Sequence, residues 1–261
     1  MKLKGKFLLI ATLVGVAVLV GLLMLLVSGR SPRSIVVHCG RSMQPATEEL
    51  AAEFERTTGA KVEFNFGGSE TLLPFIVTAR KGDIFVCHDP FGDLLRQKDL
   101  LEDSATVGQL VPVIIVARGN PLAIRALADL ARPNVRVGLM DPRHTACGEL
   151  TQNRLRDLGL QEAVQKNVKV EQRGHEDLAT AIRMGHLDAA VVWNFIGAAH
   201  PDFLDTIVTG DPYPQTNVTI CMLKCAANRD GARQFLKLAA SEAGLKIYVR
   251  KGYVAADQKK P

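Results

Sequence analysis

The chain has 261 residues, a formal net charge of +5, 47% hydrophobic residues and only 5% aromatic residues. Several of its lysines lie at the two ends, so the body is nearly neutral, and it carries no run of Lys and Arg interleaved with aromatic residues. This composition argues against nucleic-acid binding. It is typical of an α/β protein and allows one large domain or two lobes.

The N-terminal segment contains an unbroken apolar stretch at residues 7–27, which is long enough to cross a bilayer. Lys2, Lys4 and Lys6 precede it, so its N-terminus is expected to stay in the cytoplasm. The segment has no convincing small-x-small cleavage motif and no cysteine at its end to carry lipid. We therefore predict that residues 1–33 form a single-pass transmembrane anchor, with a cleaved signal as the alternative. In either case the body lies on the periplasmic or extracellular side of the cytoplasmic membrane.

The first predicted strand and helix frame a short polar turn. Residues 34–39 form an apolar strand, and Arg41 and Ser42 follow it. Pro45 then lies in the first turn of a helix that Gly59 ends.

The same construction follows the alternating strand at residues 62–66, which leads into Gly67, Gly68 and Ser69. The two glycines carry no Cβ, so the backbone can turn sharply and approach a ligand. Ser69 is placed as the N-cap of a helix that runs to about residue 79, where free N–H groups and the helix dipole suit an anion. For a single such turn, plain capping by the serine is the alternative.

Strands and helices alternate along the rest of the chain. We predict strands at 83–89, 111–117, 135–140, 189–193 and 218–224, a helix ending near 159, further helices at 175–184, 230–240 and 241–250, and an extended return at Pro212 and Pro214. This alternation predicts an α/β architecture with mostly parallel sheets. Ligands gather at the C-terminal ends of such strands, where the sequence places Ser42, Ser69, Cys87, His88, Cys147 and Trp193.

Several motifs follow one another in a characteristic order. They include Phe66-Gly67-Gly68-Ser69-x-Thr71-Leu72, then Gly82-Asp83-Ile84-Phe85-Val86-x-x-Asp89, and finally Gly185-x-x-Asp188-Ala189-Ala190-Val191-Val192-Trp193. With this spacing, residues 34–254 resemble the molybdate- and tungstate-binding members of the periplasmic solute-binding proteins that serve ABC importers.

The resemblance implies a two-lobed, type II periplasmic-binding-protein-like α/β fold that closes on a tetrahedral oxyanion. It implies that residues 34–114 and 219–261 form lobe 1 and that residues 115–218 form lobe 2, joined by two crossover strands. It further implies a monomer that delivers molybdate or tungstate to an ABC permease, without a cofactor and without enzymatic activity. A cell-surface sensor with no transport partner stays open as an alternative.

The resemblance also implies that both lobes supply ligand donors. Ser42 and Ser69 take the places of two hydroxyl-plus-amide donors, and Gly68 lies beside the second. Cys147 offers a backbone N–H, and His175 (or Glu176) offers another at a helix start. The residues implied in ligand binding are Arg41, Ser42, Gly68, Ser69, Cys147, His175 and Trp193.

Three residues depart from the family pattern. Trp193 replaces a tyrosine whose hydroxyl commonly completes the shell; its indole N–H could donate, or its ring could belong to the core. Arg41 replaces a small residue, so it adds a charged donor or covers the mouth of the site. Glu70 replaces a small polar residue and could accept a hydrogen bond from a protonated oxyanion such as phosphate, or point to solvent.

The cysteines and histidines leave a second hypothesis open. Cys39, Cys87 and His88 are of the types that bind Cu(I) or Zn(II), and a disulfide between Cys39 and Cys87 is possible if their strands are adjacent. Neighbouring strand residues point to opposite faces, however, so the Cys-His pair gives at most one ligand to a site. No nucleophile stands at a recognisable spacing from a base, so catalysis is not expected.

Overall fold

The computed structural model describes residues 34–209 and 216–256. Its strands are β1 Ser34–Gly40, β2 Lys61–Gly67, β3 Ile84–His88, β4 Leu101–Leu110, β5 Pro112–Ala117, β6 Val137–Met140, β7 Val168–Gln172, β8 Ala189–Trp193, β9 Leu204–Ile207 and β10 Thr216–Leu223. Its α-helices are α1 Gln44–Thr58, α2 Ser69–Ala79, α3 Phe91–Gln97, α4 Ala146–Asp157, α5 Gln161–Gln165, α6 His175–Arg183, α7 Asn194–Ala199, α8 Arg229–Ala240 and α9 Glu242–Arg250. Short 3-10 turns occur at Arg41–Met43 and Leu127–Ala131.

The predicted anchor at residues 1–33, and Pro212 and Pro214, lie outside the described residues. Within the described part of the chain, no helix is long and apolar enough to span a membrane.

Two five-stranded sheets organise the molecule. The first has the strand order β2-β1-β3-β10-β4 and the second has the order β7-β6-β8-β5-β9. In each sheet, the first two pairings are parallel and the last two are antiparallel, so four strands run in one direction and one strand runs against them. The prediction of mostly parallel sheets therefore agrees with the strand directions, and the exceptions are β10 in the first sheet and β5 in the second.

The chain passes from the first sheet to the second at Val111, between β4 and β5. Asn194 holds this passage on both sides: its side-chain oxygen accepts from the Val111 N–H at 3.1 Å, and its own N–H donates to the Val111 carbonyl at 3.0 Å. The Asn194 amide also donates to the Gly252 carbonyl at 2.7 Å. One side chain thus ties the start of α7 to the crossover and to the C-terminal segment.

Helix α1 illustrates how local sequence and packing agree. Pro45 lies in its first turn, and Leu50 and Phe54 are almost completely buried on one face. The helix ends at Gly59, whose φ of +71° is left-handed and whose N–H donates to Glu55. This helix fixes the position of the polar turn that precedes it.

The largest apolar core runs through both sheets. It includes Ile35 and Val86 of the first sheet and Ile115 and Val192 of the second. Because burying side chains of this size stabilises the fold by about 1.5–3 kcal/mol each, this shared core holds the sheets in a defined relation.

Candidate functional site

Two neighbouring strand ends bring the predicted serines to the same edge of the first sheet. Strands β1 and β2 are parallel, and Gly40 lies opposite Gly67 in their register. Ser42 and Ser69 each follow their glycine by two residues. A Cβ built on Gly40 would lie 2.9 Å from the Ser69 hydroxyl, so the Ser69 side chain packs directly on the turn that carries Ser42.

Ser69 is the first residue of α2, and Gly68, in an extended conformation, is its N-cap. The prediction that Ser69 caps the helix was therefore wrong, since the chain turns one residue earlier. The Ser69 side chain is 2% exposed, and its hydroxyl has no hydrogen-bond partner among the described residues. A buried hydroxyl without a partner costs about 1–3 kcal/mol, so this group is free to bond a ligand.

Ser42 is half-buried in the Arg41–Met43 turn that leads into α1. Its carbonyl oxygen accepts a hydrogen bond from the Tyr253 hydroxyl. Arg41 is exposed next to it, with no ion pair recorded within residues 34–209 and 216–256. The turn therefore combines an anchored backbone with a positive charge that no carboxylate of the described residues pairs.

Glu70 folds back over the N-terminus of α2. A Cβ built on Gly68 would lie 1.9–2.7 Å from the Glu70 carboxylate oxygens, a space that only a glycine leaves open. A carboxylate here is favoured by the positive end of the helix. Burial of the ring lowers the pKa of His88, and the negative charge of Glu70 offsets part of this lowering.

In the second sheet, α4 begins next to the end of β6. The Thr145 hydroxyl caps this helix by accepting from the Gly148 N–H at 3.1 Å. A Cβ on Gly148 would lie 2.4 Å from the Met140 carbonyl, so the glycine permits the close approach of helix and strand. The Cys147 side chain is fully buried, and burial raises the pKa of its thiol. Only the backbone of Cys147 can therefore serve a ligand.

His175 is the first residue of α6, after the N-cap Gly174. Its ring lies 6.3 Å from the Trp193 ring and 6.0 Å from the Phe195 ring, centroid to centroid. The Nδ1 atom is buried and has no partner in the described part of the chain. Burial lowers the pKa of His175 to about 3, so the imidazole is neutral at physiological pH.

Trp193 ends β8 and is 2% exposed, opposite Pro112 of β5. Of the two interpretations of this residue, the structure favours the core. Its ring forms part of the apolar floor against which His175 packs.

A chain of aromatic contacts connects the Ser42 turn to His175. Tyr253 donates to the Ser42 carbonyl and stacks on Phe195 with ring centroids 5.7 Å apart and nearly parallel planes. Phe195 in turn contacts His175 edge-on. Sequence reasoning missed Tyr253 and Phe195; the only local signals were a Gly-Tyr pair after the last helix and an aromatic residue close to Trp193.

A protein-family model described as "Bacterial extracellular solute-binding protein" matches residues 35–254. The chain belongs to this family. The members of this family bind solutes, so the expectation that the protein is not an enzyme agrees with its family.

The individual relatives of this solute-binding protein share less than a third of its residues. The molybdate-binding protein ModA of Mycobacterium tuberculosis is 29% identical over 229 residues, covering 85% of this chain and 84% of ModA. The periplasmic molybdate-binding protein of Azotobacter vinelandii has a TM-score of 0.69 at 19% identity, with 85% and 100% coverage. Iron-bound HitA of Pseudomonas aeruginosa has a TM-score of 0.66 at 20% identity, with 87% and 90% coverage. The structural likeness therefore identifies a periplasmic-binding-protein fold and not an ion.

The cysteines of this solute-binding protein do not form the suggested metal site or disulfide. Strands β1 and β3 are adjacent, but Cys39 pairs with Val86, so Cys87 points to the opposite face of the sheet. All five thiols are free, and His88 Nδ1 contacts the Asp89 carbonyl at 2.7 Å. Within residues 34–209 and 216–256, no cluster of three or more His, Cys, Asp or Glu side chains could hold a metal.

Two surface hollows of about 560 Å³ and 420 Å³ lie elsewhere. The first is lined by residues of α5 and the second by residues of α9, and neither includes a predicted ligand-binding residue. The candidate site is therefore defined by the predicted residues at the strand ends and helix starts, among them Ser69 and His175, and not by either hollow.

Proposed function

We propose that this protein captures a tetrahedral oxyanion, molybdate or tungstate first, outside the cytoplasm and delivers it to an ABC permease. The observation that carries the proposal is a pair of buried polar atoms, Ser69 Oγ and His175 Nδ1, that have no hydrogen-bond partner in the part of the chain that the structure describes. Each belongs to the first residue of a helix: α2 follows β2 of the first sheet, and α6 follows β7 of the second sheet.

Helix N-termini suit this ligand for a physical reason. The first N–H groups of a helix have no acceptor within it, and the helix dipole places partial positive charge at the same end. Helices α2 and α6 supply such ends beside Ser69 and His175, and the backbones of Ser42, Gly68 and Cys147 supply further amides. Uncharged donors of this kind can hold a dianion without a salt bridge.

The choice of ion rests on the relatives and on charge. The 29% identical relative is named as a molybdate-binding protein, which favours molybdate over phosphate for this chain. Sulfate, molybdate and tungstate carry the same charge, so selection among them depends on the size of the closed site. Arg41, which forms no ion pair with the described part of the chain, lies beside Ser42 and would attract the anion from solution.

Movement of two lobes would open and close the site. We propose that residues 34–114 with 219–261 form one lobe and residues 115–218 the other, and that the protein acts as a monomer on a membrane anchor formed by residues 1–33. In support, the chain changes sheet at Val111 and again between β9 and β10, which is close to both proposed boundaries, although the boundaries themselves fall inside β5 and β10. A hinge across two such connections is a common way to close on a ligand.

Thermal unfolding of the full-length chain in detergent tests the proposal. Trp193, the only tryptophan and almost completely buried, gives the fluorescence signal. Molybdate, tungstate, sulfate, phosphate, Cu(I) and Zn(II) are compared one at a time. A ligand at about 100 times its Kd stabilises the folded state by about 2.7 kcal/mol, which raises the Tm by several degrees.

The expected order places molybdate and tungstate above sulfate and phosphate. Stabilisation by Cu(I) or Zn(II) alone contradicts oxyanion capture. Stabilisation by phosphate alone keeps the oxyanion site but removes molybdate from it.

A further inference from the structure

The two nitrogens of His175 have different surroundings. Nδ1 is shielded from solvent and has no hydrogen-bond partner among the described residues, whereas Nε2 is not shielded in this way. A neutral imidazole carries one proton, and the hydrogen bond made by one nitrogen decides which of the two holds it. The structure thus contains a buried ring atom whose protein neighbours leave it without a partner.

The ring is held firmly where a helix begins. Trp193 and Phe195 contact it, and Phe195 is itself stacked on Tyr253, whose hydroxyl is bonded to the Ser42 turn. Rotation of the ring would disturb both contacts. A donor fixed in this way loses little conformational entropy when it meets a ligand.

We propose that the His175 side chain binds the oxyanion directly, with Nδ1–H as the donor to an unprotonated ligand oxygen. The inference rests on the proposed oxyanion capture and adds a side-chain donor where the sequence predicted only a backbone N–H. Because removal from solvent keeps the imidazole neutral, the ring contributes a directed hydrogen bond and no net charge.

The proposal also restricts the chemical class of the ligand. An anion without protons, such as molybdate, tungstate or sulfate, selects the tautomer with the proton on Nδ1. A protonated oxyanion, such as hydrogen phosphate, can instead donate to a bare Nδ1 and select the Nε2–H tautomer. The tautomer of bound His175 therefore reports which kind of oxyanion the site is built for.

Three substitutions at one position separate the possibilities, with molybdate as the probe and the full-length chain in detergent. His175→Asn keeps an N–H donor near the place of Nδ1, His175→Gln places it near Nε2, and His175→Leu removes it. We expect His175→Leu and His175→Gln to raise the Kd for molybdate about tenfold to a hundredfold, as expected for a lost hydrogen bond to a charged group. We expect His175→Asn to change it by only a few-fold.

Nitrogen-15 NMR of the histidine rings in the wild-type protein gives a second measurement, which does not depend on ligand binding by any variant. The His175 signal is assigned from its loss in His175→Asn. Molybdate should place the proton on Nδ1. A bare Nδ1 in the complex, or wild-type affinity in His175→Leu, overturns the inference while leaving oxyanion capture in place. If the wild type binds none of the oxyanions, the proposed function fails and this inference fails with it.

The Tm of each variant without ligand controls for folding. If His175→Leu does not fold, the comparison of His175→Asn with His175→Gln and the wild-type NMR spectrum still decide the outcome.

Discussion

The Tyr253 hydroxyl donates a hydrogen bond to the Ser42 carbonyl oxygen, across more than two hundred residues of chain. The same ring stacks on Phe195, which contacts His175. Tyr253 therefore couples the first serine turn to the start of α6, the two regions from which we expect ligand donors to come.

Replacing Tyr253 with Phe tests this coupling. The variant keeps the ring and its stacking on Phe195 but leaves the Ser42 carbonyl without its donor. We expect the affinity for molybdate to fall several-fold, because the turn that presents Ser42 loses its anchor, and the stability to fall by about 0.5–1.5 kcal/mol. Fluorescence titration and urea unfolding measure the two effects. An unchanged Kd with a lowered stability would mean that the bond only supports the fold.

Ser69→Ala should separate ligand binding from folding. Because the Ser69 hydroxyl is buried and no described residue bonds to it, its removal should leave the unliganded protein equally stable or slightly more stable. Binding of molybdate should weaken by about 1.5–3 kcal/mol, as for a lost hydrogen bond to a charged group.

Ser241→Ala is the matched control for Ser69→Ala. The Ser241 hydroxyl accepts from the Gly244 N–H at 3.2 Å as the N-cap of α9. Its loss should cost about 1 kcal/mol of stability and leave the Kd unchanged. A loss of stability in Ser69→Ala without a loss of affinity would assign Ser69 a structural role.

The local pattern of glycine, serine and an apolar strand was sufficient to predict β1, β2 and the helices that follow them. It could not predict β4, since the polar residues Glu102, Asp103 and Ser104 suggest a loop when read alone. That segment is a strand because it pairs with β10, which lies far away in the sequence.

Long-range contacts also explain what was missed at the site. Nothing near Tyr253 in the sequence indicates that its hydroxyl reaches Ser42, and nothing near Ser69 indicates that its hydroxyl lacks a partner. The faces of Cys39 and Cys87 were likewise undetermined until the register of β1 and β3 placed Cys39 opposite Val86. Sequence supplied candidate residues, and tertiary packing determined which of their atoms are available.

Gly40→Ala should disturb the site because there is no room for the added methyl group. The added Cβ would lie 2.3 Å from the end of the Met43 side chain and 2.9 Å from the Ser69 hydroxyl. We expect a loss of about 1–3 kcal/mol in stability, typical of overpacking, together with weaker molybdate binding because Ser69 must move. Urea unfolding and fluorescence titration give both values.

Gly92→Ala provides the comparison for Gly40→Ala. A Cβ at Gly92 would have its nearest neighbour, the Cys221 sulfur, at 3.7 Å, which is ordinary contact. The variant should bind molybdate as tightly as the wild type and lose little stability. If Gly40→Ala behaves in the same way, the packing of Ser69 against the first turn does not matter for binding.

Acid should destabilise the unliganded protein partly through histidines whose pKa is lowered in the folded state. Burial lowers the pKa of His175 from 6.5 to about 3, and burial also lowers the pKa of His38. Between pH 6.5 and 3 the unfolded His175 binds a proton that the folded ring does not, so stability is lost as the pH falls through this window. The loss from one such group is at most about 1.4 kcal/mol per pH unit.

The contribution of His175 can be isolated by comparing urea unfolding of the wild type and His175→Leu at several pH values from 7 to 4. Other titrating groups, including the carboxylates, are common to both proteins and cancel in the difference. The stability of the wild type relative to the variant should decline steadily below pH 6.5, because only the wild type must keep this ring neutral when folded. A difference that does not change with pH would mean that the folded His175 titrates as an exposed histidine does, and that Nδ1 is not shielded.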